Sequence, residues 1–390
     1  MSILDLNDRL LVQILSKLSF ENILQASRCC KRLWGLVWES EELWYYVLKD
    51  LLEEEVVIRQ TLGLVGSYRL LAKFLVIYSS LEGEWAGDIQ PRGQLLRVEY
   101  EDGVLVGKIY GLSVGPRVGE HRLINRLLFK LVPENYNNEL KVTCKWFRLD
   151  SAVGQGSREL PDDDAEDSIA DIRMDEFTLI RSTEEDPGEV LTNPRDVYLR
   201  YISRGELPPE RLPRRTTYRR LKYKTQQQQS EHPADAEHND KLLEGIYWAL
   251  YGLHGPEIIV VTYNDKGKIE GRKITGDINV PCGKVSFSID ANPVASHLLP
   301  PEVLAVRQAS VQAAGDEITH VHPGTGTVAE EHFGHPRSIM AEMLRFRNEK
   351  FAIVWLELGT PILFRPLKLP EYREVGRKFL ASMASGPPFS

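Results

Sequence analysis

Residues 6–18 read LNDRLLVQILSKL, and their apolar side chains follow a helical spacing. The apolar positions recur at i, i+4, i+5 and i+8, which places them on one face of an amphipathic helix. They are Leu6, Leu10, Leu11, Ile14, Leu15 and Leu18. A face of this kind must be buried, so the pattern predicts a first helix that packs against another element or another protein.

The residues that follow predict two further helices. One starts after the turn at residues 19–22, and the other starts after Ser40. Their apolar stripes include Ile23, Leu24, Leu33, Trp34, Leu43 and Trp44. Three helices of about ten to fifteen residues bury too little surface to be stable alone. This unit therefore needs a binding partner or a following domain.

These helices resemble an F-box. The resemblance rests on the leucine pattern of residues 6–18, on CCKRLW at 29–34 and on ELW at 42–44. A Leu-Pro pair usually opens the first F-box helix; Leu6-Asn7 stands there instead, and asparagine can also begin a helix. The resemblance implies that the apolar residues named above bind a Skp-type adaptor, which joins the chain to a cullin and a RING subunit.

Composition excludes several classes of protein. The chain has 390 residues, of which 42% are hydrophobic and 27% charged, as in a soluble globular protein of two domains. A net charge of -8 argues against nucleic acid as the main partner. The N-terminus lacks the positive charge of a signal peptide, and no segment approaches a membrane span. The expected location is therefore the cytoplasm, the nucleus or both, with no membrane partner.

From residue 81 onward, short alternating segments broken by glycine predict antiparallel strands. Residues 81–111 and 243–276 share a ground plan, because each opens with Leu-Glu-Gly and contains an acidic or amide residue near a glycine turn. Chance similarity between two ordinary hairpins is the alternative. Closure into a barrel removes sheet edges. The predicted fold class is therefore α+β, a three-helix F-box followed by a mainly antiparallel β-barrel with a partly disordered insert.

The predicted boundaries follow from these patterns. Residues 1–50 are the F-box, 51–80 a helical linker, 81–150 the first part of the barrel, 151–240 a charged insert, 241–370 the second part of the barrel and 371–390 a tail. The insert has an acidic first part and a basic last part that ends in a glutamine run. Its basic cluster at residues 214–224 is either a nuclear-import signal, an anion-binding patch or a solvated linker.

The later half resembles F-box proteins with a C-terminal β-barrel, the group of F-box-only protein thirty-one and its fungal and plant relatives. Four motifs carry the resemblance: GIYWALYGLHGPE at 245–257, KITGDINVPCG at 273–283, GTGTVA at 324–329 and FAIVWLEL at 351–358. It implies a non-catalytic substrate receptor of an SCF ubiquitin ligase, acting in protein degradation, whose barrel mouth takes a short C-terminal degron. Animal members have a Cys/His cluster that this chain lacks, so neither a metal nor a cofactor is expected.

Six polar or aromatic residues of these motifs are the predicted substrate contacts. They are Tyr251, His254, Glu257, Lys273, Asp277 and Asn279. Each can instead support the local structure, and the run 275–277 is predicted to form an Asx-type turn. A peptide end at the barrel mouth would need such groups to orient it.

Other motifs do not indicate enzymatic chemistry. The glycine-rich run 324–329 lacks the strand and long helix that dinucleotide binding requires. The pairs His320/His322 and His332/His335 have no Cys or acidic partner at zinc-site spacing. A nucleophile elbow, a P-loop and a kinase signature are absent from the sequence. Two alternatives to the ligase receptor stay open: a barrel that binds a small hydrophobic ligand, with the F-box as a tether, and an F-box protein that works outside the ligase.

Overall fold

The computed structural model describes residues 3–18, 20–114, 121–147, 168–180, 215–223, 244–295, 301, 305, 307–308, 317–347, 349–359, 361–376 and 378–379. Within these ranges the chain begins with helices and continues as antiparallel sheets. The predicted α+β class, with N-terminal helices followed by a β-barrel, is confirmed.

Six α-helices form the N-terminal unit: α1 (Asp8–Leu15), α2 (Phe20–Cys29), α3 (Lys31–Glu39), α4 (Glu41–Glu54), α5 (Val56–Val65) and α6 (Tyr68–Tyr78). Asn7 caps α1, because its side chain accepts a hydrogen bond from the backbone N–H of Leu10 at 2.9 Å. The predicted second helix is divided at Cys30, whose backbone is extended. Arg32, just after the break, donates hydrogen bonds to the Leu6 carbonyl and the Asp8 carboxylate, both at 2.7 Å.

Helices α5 and α6 pack against the first sheet, so that the helices and this sheet share one apolar core. Leu70, Leu71 and Phe74 of α6 are completely buried and pack in the same core as Trp85 and Leu96 of the sheet. Among the described residues no single helix is long and apolar enough to cross a membrane. One pair, Val56–Val65 with Tyr68–Leu81, passes that criterion only when joined across a bend of 117°.

The first sheet is open and antiparallel in the described part of the chain. Its strands are β1 (Gly83–Gly87), β2 (Gln94–Glu101), β3 (Val104–Val114), β4 (His121–Tyr136), β5 (Glu139–Trp146), β6 (Ser168–Ala170), β7 (Glu176–Ile180) and β8 (Arg215–Arg220), in the order β5-β4-β3-β2-β1-β8-β7-β6. Strands β6, β7 and β8 come from the predicted insert. Residues 168–180 and 215–223 of that insert are thus ordered parts of the sheet, and the rest of it lies outside the described residues.

The second sheet closes into an eight-stranded barrel. Its strands are β9 (Gly245–Leu250), β10 (Pro256–Tyr263), β11 (Lys268–Lys273), β12 (Val285–Asp290), β13 (Val294–Ala295), β14 (Ile318–Glu330), β15 (Gly334–Phe346), β16 (Phe351–Trp355) and β17 (Pro361–Pro366). They follow the order β12-β11-β10-β9-β17-β16-β15-β14-β13, and pairing of β12 with β14 completes the ring, which leaves β13 as a flanking strand.

This topology corrects the prediction of one barrel built from residues 81–150 and 241–370. The two stretches with a shared ground plan lie in different sheets: among the described residues no strand of one pairs with a strand of the other, and the later stretch closes a barrel with strands that follow it in the chain. The sheets nevertheless share a core. Leu95 and Tyr110 of the open sheet pack with Ile246 and Ile258 on the outer wall of the barrel.

The described part of the predicted tail is also packed. The buried carboxylate of Glu82 accepts hydrogen bonds from the backbone N–H of Val375 at 3.1 Å and of Gly376 at 2.5 Å. Lys378 Nζ lies 2.5 Å from Oε1 of Glu55, another buried carboxylate. Residues 371–376 and 378–379 therefore lead from the barrel back to the helices and β1, and we call residues 375, 376, 378 and 379 the C-terminal clasp.

Candidate functional site

The interior of the barrel is filled by aromatic rings at its centre. Phe351 and Phe364 stack with centroids 4.8 Å apart, and Phe287 meets Phe351 edge to face at 5.9 Å. Glycine makes room for these rings: a Cβ at Gly271 would lie 2.2 Å from Phe287. The close approach explains why glycine occupies this position within a strand.

Above this aromatic layer, four of the six predicted substrate residues come together. Lys273 Nζ lies 2.6 Å from Glu257 Oε2 and 2.7 Å from Asp277 Oδ2. It also lies 4.4 Å from the centroid of the Tyr251 ring. Lys273 pairs with Ile259 across the sheet, so Glu257, two residues before Ile259, shares the same inward face. We call Tyr251, Glu257, Lys273 and Asp277 the mouth cluster.

Burial sets the charge distribution within the mouth cluster. Glu257 and Lys273 are each 2% exposed. Burial raises the pKa of Glu257 well above its ordinary value, and the nearby Lys273 ammonium only partly opposes this effect. Burial also acts to raise the pKa of Asp277, but the attraction of Lys273 outweighs it and holds that pKa below its usual range. Asp277 is thus the negative partner of Lys273, and Glu257 is the carboxyl that tends to stay protonated.

Two side chains in this region have polar atoms that lack a hydrogen bond to any described residue. They are the carboxyl oxygens of Glu257 and Nε1 of Trp355, all of them buried. The short contact between Glu257 and Lys273 does not have hydrogen-bond geometry. The buried indole N–H of Trp355 carries the cost of about 1–3 kcal/mol for an unpaired donor, whereas the Glu257 carboxyl has the Lys273 ammonium 2.6 Å away. A ligand that offered an acceptor to Trp355 and a donor or acceptor to Glu257 would recover part of that cost.

The loop before β12 fixes the position of Asp277. Its Oδ1 accepts hydrogen bonds from the backbone N–H of Asn279 at 2.6 Å and of Val280 at 2.8 Å, which is the predicted Asx-type turn. Asn279 in turn donates from Nδ2 to the Ala329 carbonyl at 3.0 Å. The Asn279 side chain therefore supports the loop, and its assignment as a substrate contact stays a prediction.

His254 lies next to the mouth cluster. It ends a short 3-10 turn, Gly252–His254, and is half-buried. Its backbone N–H donates to the Tyr251 carbonyl at 3.0 Å. Among the described residues no hydrogen bond or ion pair joins it to Lys273, and its assignment as a substrate contact stays a prediction.

Ser286 and Trp355 also belong to the site, although the sequence did not predict them as substrate contacts. The hydroxyl of Tyr251 lies 3.0 Å from Ser286 Oγ, and the Tyr251 ring centroid lies 6.2 Å from that of Trp355. The sequence indicated Trp355 only as part of the barrel wall. A Cβ at Gly326 would lie 2.0 Å from Trp355 Nε1, so closure of the barrel brings these residues together. Local sequence carried no signal for this approach.

The predicted adaptor-binding residues divide by exposure. Leu10 is 44% exposed, Ile14 38%, Leu18 36% and Trp34 52%. The buried members are Leu11, Leu15, Ile23, Leu43 and Trp44, and the half-buried members are Leu6, Leu24 and Leu33. The buried side chains pack among the helices of the chain itself, and the assignment of the whole set as adaptor contacts stays a prediction. We call Leu10, Ile14, Leu18 and Trp34 the exposed apolar face; Ile3 and Leu4, also exposed, were not predicted.

Comparison with known families agrees with both parts of this architecture. Residues 3–33 match the F-box domain family, and residues 218–371 match the family described as Cyclin D1 binding domain. The second match covers the whole barrel and its mouth cluster. The chain therefore carries an F-box domain at its N-terminus, as the helical pattern predicted.

The chain is homologous to F-box only protein 31, which confirms the predicted resemblance. It is 25% identical to that protein of Rattus norvegicus over 308 residues, which cover 74% of this chain and 56% of the relative. It is 26% identical to F-box only protein 31-B of Xenopus laevis, with 74% and 54% covered, and 23% identical to the Homo sapiens protein, with 74% and 52% covered. The chain thus spans about half the length of the curated relatives it matches.

Proposed function

We propose that this chain is the substrate-recognition subunit of an SCF-type ubiquitin ligase. The observation that carries the proposal is an F-box domain with an exposed apolar face, joined to a barrel that matches the family described as Cyclin D1 binding domain. The helices would bind a Skp-type adaptor, and the adaptor would connect them to cullin and RING subunits. The barrel would bind a protein target, in the cytoplasm, the nucleus or both.

In this role the chain binds the target, and the conjugating enzyme of the complex carries out ubiquitin transfer. Holding a target lysine near the charged conjugating enzyme raises its effective concentration, which accelerates transfer without a catalytic side chain in the receptor. The residues of the barrel are accordingly treated as binding residues.

The mouth cluster is the proposed site for the end of a target chain. A C-terminal degron presents backbone N–H and C=O groups beside its terminal group, and these can pair with the buried polar atoms of Glu257 and Trp355. The Lys273–Asp277 pair supplies both a donor and an acceptor within 2.7 Å of each other. Each interaction lost from such a buried site costs on the order of 1–3 kcal/mol.

A small hydrophobic ligand inside the barrel is the less supported alternative. The rings of Phe287, Phe351 and Phe364 fill the centre of the interior, and each is completely buried. A lipid-like ligand would have to displace this packing. Native mass spectrometry of the purified chain would detect a retained small molecule if that alternative holds.

The test of the proposal is co-purification. The full chain, expressed in cells with an affinity tag, is expected to recover a Skp-type adaptor, a cullin and a RING subunit. Recovery of the adaptor without cullin would indicate an F-box protein that works outside the ligase. Recovery of neither would contradict the proposal.

A further inference from the structure

A cleft of about 610 Å³ runs between the open sheet and the outer wall of the barrel. One side is formed by β1, β8 and the residues just after β8. The other side is formed by β10, β11 and the loop between β11 and β12. Six cationic side chains line it: Arg219, Arg220, Lys222, Arg272, Lys273 and Lys284. Asp88 and Asp175 are its two acidic lining residues. The lining is therefore predominantly basic, although the whole chain is acidic.

Arg220 and Lys273 are engaged by neighbouring groups of the chain itself. Arg220 donates to the backbone carbonyls of Met174 at 2.6 Å and Glu82 at 2.8 Å, and its guanidinium lies 4.2 Å from the centroid of the Trp85 ring. Lys273 points into the mouth cluster and is engaged by Asp277. Neither side chain is positioned to bind a ligand in the cleft.

The other four cations reach solvent at the cleft. The side chains of Arg219 and Lys222 are 63% and 73% exposed, and that of Arg272 is 49% exposed. Each has a carboxylate neighbour on its own sheet, such as Glu176 at 3.2 Å from Arg219. Exposed pairs of this kind contribute about 0–1 kcal/mol, so an incoming carboxylate can compete for the same cations. Lys284 contacts the ring of Phe333, with Nζ 5.0 Å from its centroid.

Lys273 belongs both to the lining of the cleft and to the mouth cluster. The backbone N–H of Lys273 donates to the Lys284 carbonyl at 2.9 Å, so these residues lie side by side, one facing the mouth and the other the cleft. The loop between them is tied to the open sheet, because Gly276 N–H donates to the Arg92 carbonyl at 2.7 Å and Cys282 N–H to the Pro91 carbonyl at 2.8 Å. A peptide whose end occupies the mouth would leave it beside this loop.

We infer that the cleft binds an acidic segment of the target, located just before the terminal residues held in the mouth. This inference rests on the proposed function and names the class of target it would select. Opposite charges across a partly solvated cleft steer binding and favour one partner over another, and salt weakens the effect. The basic cluster at the end of the insert contributes Arg219 and Lys222 to this cleft. In this arrangement it acts as the anion-binding patch that was one of its three interpretations.

The test uses the full chain in complex with a Skp-type adaptor and fluorescent synthetic peptides. All peptides share one pool of random terminal residues; the preceding positions are all aspartate, all serine or all lysine. We expect the aspartate set to bind about tenfold more tightly than the serine set at low ionic strength, and the lysine set to bind more weakly. The advantage of aspartate should disappear in the Lys222→Glu/Lys284→Glu variant.

A matched control separates the cleft from net charge. The Lys49→Glu/Lys266→Glu variant makes the same change in charge at exposed lysines away from the cleft and should keep the aspartate preference. Equal binding of the aspartate and serine sets, or loss of the preference in both variants, would overturn the inference while leaving the mouth site intact. Failure of every set to bind, with the adaptor still bound, would overturn the proposed mouth function and this inference with it.

Discussion

Lys273 and Asp277 face each other at 2.7 Å inside the mouth of the barrel, although one ends a strand and the other begins a turn. Cross-strand pairing fixes Lys273, and the Asx turn fixes Asp277. The pair is therefore preformed, and a ligand that binds there does not have to order it first. Such preorganisation increases affinity because less entropy is lost on binding.

Replacing Asp277 by asparagine should separate binding from folding. An asparagine Oδ1 can still accept the two backbone hydrogen bonds of the turn, while the negative charge beside Lys273 is lost. Glu257 then remains to balance the ammonium. We expect Asp277→Asn to change the melting temperature by only a few degrees, and Asp277→Ala to lose the turn as well, at about 1–3 kcal/mol of stability. Thermal unfolding of both variants tests this; equal destabilisation would show that the charge, rather than the turn, stabilises the loop.

Glu257 should make the stability of the folded chain fall as pH rises. Its pKa is raised in the folded chain, so its favourable contribution is complete below the unfolded value of about 4.3 and is lost as pH rises through the folded value. Glutamine cannot ionise. The Glu257→Gln variant should therefore lose less stability than wild type as pH rises above the unfolded value of about 4.3, measured by denaturant unfolding curves. Parallel curves for the two proteins would mean that Glu257 is ionised throughout.

Asp277 should have the opposite effect at acid pH. Its lowered pKa stabilises the folded chain above the unfolded value of about 3.9, and that contribution is lost as pH falls toward the folded value. Wild type should therefore lose more stability than Asp277→Asn on acidification below about pH 4. The same unfolding curves, extended to acid, measure the difference. Equal acid sensitivity of the two proteins would assign the loss to other carboxylates.

The exposed apolar face should be required for adaptor binding. Aspartate at Leu10 and Ile14 would place two charges in the interface, at a cost of several kcal/mol, without entering the core of the free chain. We expect the Leu10→Asp/Ile14→Asp variant to lose the Skp-type adaptor and keep its melting temperature. The Leu64→Asp/Ile77→Asp variant is the control, because these residues are similarly exposed but lie on later helices. Adaptor binding by the first variant, measured by co-purification, would contradict the assignment.

The C-terminal clasp should contribute to stability. A Cβ at Gly376 would lie 2.6 Å from the Ser79 carbonyl oxygen and 2.8 Å from Glu82 Oε2. Gly376→Ala should therefore lower the free energy of unfolding by about 1–3 kcal/mol. Gly63→Ala is the matched control, since it lies in α5 with nothing within 4 Å of the added methyl and should be neutral or stabilising by up to about 1 kcal/mol. Equal stability of the two variants would show that the clasp is dispensable.

The helical unit was predictable from sequence because its signals are local. Leucine spacing predicted the first helix, but Leu10 and Leu11 are adjacent in the same stripe and only the packed structure shows that one is exposed and the other buried. The sequence predicted that a β-barrel is present, but it did not predict which strands form it. Strand pairing depends on distant partners, and the repeated hairpins at residues 81–111 and 243–276 gave no signal that they belong to different sheets.

The candidate site shows the same limit. Lys273 and Asp277 lie in one short motif, and Tyr251 and Glu257 lie in another, so proximity within each pair followed from the chain itself. Trp355 reaches the site only through closure of the barrel. The hydrogen bond from the Asn279 side chain to the Ala329 carbonyl was likewise not predictable, because Ala329 lies fifty residues away in sequence.

The decisive measurement compares the targets captured by variants of the mouth cluster. The chain carrying Leu10→Asp/Ile14→Asp cannot deliver targets for degradation if the proposed function holds, so it should accumulate them in cells. Asp277→Asn or His254→Ala is then added to this adaptor-deficient chain, and melting curves show that each protein is folded. Quantitative mass spectrometry compares the targets that the three proteins capture. We expect Asp277→Asn to lose most targets and His254→Ala, next to the mouth cluster, to lose fewer. An identical set of targets in all three proteins would contradict a binding site in the mouth of the barrel.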